Sequence, residues 1–72
     1  MNINDLRTKT ASMLKQAERR LDGAITHSHN RWSTLTYADK NSAIANEMSL
    51  YNEADYLREA LKHLMEPLNE PT

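Results

Sequence analysis

The sequence predicts an all-α fold, an antiparallel two-helix hairpin. Three observations predict it: a composition suited to helix, two long apolar stripes at helical spacing, and one polar segment between them. Among the 72 residues Leu and Ala dominate the apolar set, Val, Phe and Cys are absent, and there are one Gly and two Pro. Strands favour β-branched and aromatic side chains, whereas helices favour Leu, Ala, Met, Glu, Lys and Arg, so all-β and α/β folds fit poorly. The absence of Cys excludes disulfides, thiolate metal sites and cysteine nucleophiles. The length suits a single helical-hairpin domain over residues 1–72.

The first helix is expected over about 3–30. Asn2 can cap it, and the Asp5 carboxylate favours the positive end of its dipole. Ile3, Leu6, Thr10, Leu14, Ala17, Leu21, Ala24 and Ile25 follow on one stripe, which continues through Ser28 and Trp32. Arg7, Lys9, Lys15, Glu18, Arg19 and Asp22 fall mostly elsewhere. Gly23 is a weak point rather than an end, because stopping there would leave an overlong loop.

Residues 31–36 are expected to turn the chain, since hydroxyl and amide side chains compete there for helical backbone groups. Thr36 followed by Asp39 then reads as a capping box for a second helix over about 37–66. Its seam is a heptad: Ala43, Glu47, Leu50, Ala54, Leu57, Leu61, Leu64 and Leu68. Pro67, Asn69 and Pro71 terminate it, leaving a short tail over 67–72.

Charge supports antiparallel pairing. Residues 1–35 carry a net +3 and residues 36–72 a net −4. Folding about residue 34 sets Lys9 near Glu59 and Lys15 near Glu53, and opposes Leu14 to Ala54 and Ala17 to Leu50. So thin a core usually needs self-association or a constitutive partner. A homodimeric four-helix bundle or docking on a partner protein is the expected outcome.

Function follows from surfaces rather than motifs. Trp32, Tyr37, Ile44, Met48 and Tyr51 form a second apolar-aromatic track, the kind of surface that anchors interfaces. It suggests a non-catalytic interaction module, a small inhibitor or adaptor binding a larger protein, itself (as a dimer), or both. Two other classes remain open: a small dimeric RNA- or DNA-associated regulator, with Lys15, Arg19, Arg20 and Arg31 as phosphate contacts, and a purely structural oligomerisation module. The overall charge of −1 argues against nucleic acid and membrane surfaces as partners.

Enzymatic activity, a cofactor and a metal site are not expected. His27 and His29 are two positions apart and diverge on a helix, and Ser28 between them lacks a converging base and orienting group. Glu47 on the seam is the one unexplained polar residue, either paired with Arg20 across the hairpin or marking where the seam opens. No apolar run suits a membrane span and no secretory signal is visible, so a cytoplasmic location is expected.

Overall fold

The computed structural model describes residues 2–66, which form two antiparallel helices joined by a tight turn. Helix α1 spans Ile3–Arg31, a 3-10 turn covers Trp32–Thr34, and helix α2 spans Tyr37–Met65. The expected boundaries therefore hold to within a residue. The Pro67–Pro71 stop and Leu68 lie outside the described residues.

Each end of each helix is closed by chemistry that its local sequence supplies. Asn2 Oδ1 accepts from the Asp5 backbone N–H at 2.9 Å, and Thr36 Oγ1 accepts from the Asp39 N–H at 3.1 Å. These bonds satisfy donors that the first helical turn leaves unpaired. Acidic residues occupy both first turns (Asp5, Asp39) and basic ones both last turns (His29 and Arg31, Lys62 and His63), which complements the helix dipoles. At the bend Thr34 Oγ1 donates to the Arg31 carbonyl at 2.8 Å, and the Leu35 N–H returns to the Trp32 carbonyl at 3.2 Å. Gly23 sits inside α1 with nothing within 4 Å of where a Cβ would stand. The helix continues through it from Ile3 to Arg31.

The helices meet along two heptad seams. In α1 the buried or half-buried residues are Ile3, Arg7, Thr10, Leu14, Ala17, Leu21, Ala24 and Ser28; in α2 they include Ala43, Glu47, Leu50, Ala54, Leu57, Leu61 and Leu64. Alternating steps of four and three keep one stripe on the partner, as in coiled-coil packing. The α2 seam is the expected one throughout its described length. The α1 seam needs three corrections, since Leu6, Ile25 and Trp32 are exposed and Arg7 takes the inner position assigned to Leu6. A charged residue can do this because its methylene stem packs on apolar surface while its head finds an acceptor. Here Arg7 Nε donates to the Leu64 carbonyl at 2.5 Å. That carbonyl belongs to the last turn of α2, where acceptors lack helical partners.

The tightest packing is small against large. Ala17 (0% exposed), Ala54 and Leu57 form the buried cluster, and Leu14 packs against it. Ala17 was expected opposite Leu50, so the register is displaced toward later residues of α2. Ion pairs report the same displacement: Glu53 takes Arg20 rather than Lys15, and Glu18 takes Arg58. Lys9 and Glu59 form no ion pair among the described residues. Part of the cause is directional. Every Cα–Cβ bond tilts toward its helix N-terminus, so each surface spot is covered by a residue about one position further along the chain. In an antiparallel pair this offset applies to both helices, and contacts lie later than a fold about the turn implies.

Candidate functional site: an apolar groove beside a polar seam

Next to the turn the seam changes character. Ser28 is buried at the position where an apolar residue would be expected, and its Oγ donates to Glu47 Oε2 at 2.7 Å while lying 3.2 Å from the Ile25 carbonyl. Glu47 therefore does not reach Arg20, whose guanidinium is 2.5 Å from Glu53. The Ser28–Glu47 bond joins the two helices through polar groups, so this stretch of the interface excludes less apolar surface than the Ala17 cluster does. No buried side-chain polar atom among the described residues lacks a partner.

The apolar residues of this half lie outside the seam instead. One flank of the hairpin carries Glu18 and Ile25 from α1 with Ile44, Tyr51 and Arg58 from α2; the opposite flank carries Arg20 and Glu53. On the first flank a groove of about 530 Å³ runs between the helices, lined by Leu21, Ile25, Ile44, Glu47, Met48, Tyr51 and Asn52. Ile44, Met48 and Tyr51 are 45, 61 and 49% exposed. Their spacing of four and three places them on one edge of α2, one step round from the heptad seam. Toward the open end of the hairpin the groove gives way to the Glu18–Arg58 pair at 3.0 Å, which Asp55 joins at 3.7 Å.

Of the five residues expected to form a partner-binding track, the structure brings three together. Trp32 and Tyr37 stand apart from the groove, at the turn. The Trp32 ring lies 5.3 Å from Lys40 Nζ, a cation–π contact that ties the turn to the first part of α2. Tyr37 projects from the start of α2 and is 81% exposed. Two lining residues, Leu21 and Ile25, come from the apolar stripe of α1. Their availability could have been read from Ser28 and Glu47, because a polar pair on the seam displaces apolar residues to its edges.

The basic residues considered for phosphate contact do not gather into one patch. Arg20 is committed to Glu53, Lys15 lines a shallow hollow with Ala11, Ser12, Leu14 and Glu18 toward the open end of the groove flank, Arg19 lies on the outer face of α1, and Arg31 is at the turn. His27 and His29 are exposed and diverge, and no group of three His, Asp or Glu among the described residues is placed to hold a metal ion. No helix among them is long and apolar enough to cross a membrane. Comparison of the chain with protein-family models, with curated proteins and with solved structures finds no match.

Proposed function

We propose that this chain is a non-catalytic interaction module, a helical hairpin that binds a larger protein by burying the groove formed by Ile25, Ile44, Met48 and Tyr51, and so acts as a small inhibitor or adaptor. One observation carries the reading: beside the turn the hairpin keeps a polar pair inside and leaves its large apolar side chains outside, gathered into a groove. Folding alone gives no return on that arrangement. A partner surface that removes those side chains from water does, at roughly 25 cal/mol per Å² of apolar area. Met48 and Tyr51 suit the task, Met because its flexible thioether adapts to varied surfaces and Tyr because it offers a large apolar body with a polar tip.

Capture by the tagged chain tests this reading when wild type is run beside Met48→Asp, Tyr51→Ala and an outer-face control, Lys9→Ala. Wild type and the control retain the same partner. Both groove variants lose it while circular dichroism shows unchanged helicity. Retention of that partner by Met48→Asp overturns the assignment of the groove.

A further inference from the structure

The occupant of the groove in the free protein can be argued from the hairpin itself. We infer that it is a second copy of this chain, packed flank to flank about a two-fold axis parallel to the helices, with both turns at the same end of a four-helix bundle. This inference rests on the groove being the docking face, and it adds the identity and orientation of what covers it when no other target is present.

Three observations select a second copy. The first is the thinness of the core. Among the described residues only Ala17, Ala54 and Leu57 are buried apolar side chains, while Ile25, Ile44, Met48 and Tyr51 stay between 44 and 61% exposed. A domain this small usually completes its core by association, and two copies laid groove on groove would cover these four side chains on each. Consistent with this, no large side chain among the described residues is fully buried.

The second is the charge on the flank. Around the groove and toward the open end it carries Lys15, Arg58 and Lys62 against Glu18, Asp22, Glu47 and Asp55, a nearly even balance of three positive and four negative charges. A surface balanced in this way can face its own copy without net repulsion. A polyanion has no attraction to it.

The third observation fixes orientation. The apolar groove lies in the turn half of the flank and the charged residues in the open half. A two-fold axis parallel to the helices lays groove on groove, and it places the α1 segment, in the half with net +3, against α2 of the other copy, in the half with net −4. Every neighbouring pair of helices is then antiparallel, which also opposes their dipoles favourably. A two-fold axis across the helices would instead set Ile44 and Met48 over the partner copy's charged half and α1 against α1. Apolar side chains would then cover the Glu18–Arg58–Asp55 cluster and take charged groups out of water, which desolvation disfavours.

The absence of Cys lets a single introduced thiol report the geometry. Ser33→Cys, in the exposed turn, carries a nitroxide label for dipolar distance measurement, beside light scattering for mass. The expected result is twice the chain mass and a label separation below about 30 Å, since neighbouring helix axes in a bundle are about 8–10 Å apart. Turns at opposite ends would separate the labels by about the length of a 29-residue helix, roughly 44 Å at 1.5 Å per residue. Met48→Asp should weaken dimerisation by at least about 100-fold, as for an anchor placed centrally in an interface. A mass of one chain at all concentrations, a long separation, or a dimer indifferent to Met48→Asp overturns the inference. A monomer whose groove variants still lose a foreign partner would sink the second copy alone; a dimer of the stated geometry with undiminished capture by the variants would sink the larger-protein reading alone.

Discussion

Far from the turn, the hairpin encloses Leu14, Ala17, Ala54 and Leu57, and an ion pair closes each flank, Glu18 with Arg58 and Arg20 with Glu53. Near the turn it encloses Ser28 and Glu47, and Ile25, Ile44, Met48 and Tyr51 stand outside. Both halves use the same heptad spacing and the same helix pair. They differ in which residue type occupies the inner position, and this decides where the apolar surface ends up. The half with the Ala17 cluster holds the helices together, although Met13, Tyr56 and Met65 stand exposed on its outside. In the other half the exposed apolar side chains gather into one groove. A single fold thus separates a half with a buried apolar cluster from one with an open apolar groove, with no change of backbone.

Truncating one large side chain in each half gives the sharpest contrast. Leu57→Ala removes a 7% exposed side chain from the Ala17 cluster and should cost about 2–4 kcal/mol in denaturant unfolding. Tyr51→Ala, although it removes more atoms, should cost less than about 1 kcal/mol at concentrations where the chain is dissociated. Equal losses would mean that the two halves share one core.

The polar pair offers a smaller test. Ser28→Ala leaves the half-buried Glu47 without its donor and should cost about 1–2 kcal/mol, whereas adding Glu47→Leu should bring stability back to within about 0.5 kcal/mol of wild type or above it. If the double variant is no better than the single one, the Ser28–Glu47 bond is a stabilising feature of the turn half and the contrast between halves weakens. Smallest is Gly23→Ala, in open space within α1. It should raise stability by about 0.5–1 kcal/mol through helix propensity without altering association.

Much of this is legible in the sequence. Both caps, the turn and every described position of the α2 seam follow from local patterns, because capping and heptad spacing depend on residues within a turn or two. The α1 seam was harder. Read as a straight helix, its stripe drifts about 20° per heptad, toward Ile25 and Trp32, while packing holds it on Ala24 and Ser28. Arg7 displaced Leu6 for a reason that lies in the other helix, the free Leu64 carbonyl. Register and groove share that difficulty. The displacement of Ala17 from Leu50 to Ala54 and Leu57 depends on side-chain direction across the interface, and the groove forms only because Ser28 and Glu47, nineteen residues apart, meet. Tyr37 joins the expected site through its spacing of seven from Ile44 and Trp32 through its place at the turn; neither lines the groove.

Residue-resolved amide hydrogen exchange at two protein concentrations tests the central claim most directly, that the turn half is completed by another protein surface while the open half completes itself. At low concentration the amides around Ala54 and Leu57 should be well protected and those around Ile25, Ile44 and Met48 weakly so, and raising the concentration should slow exchange chiefly in the second group. Uniform protection along both helices, unchanged by concentration, would contradict it.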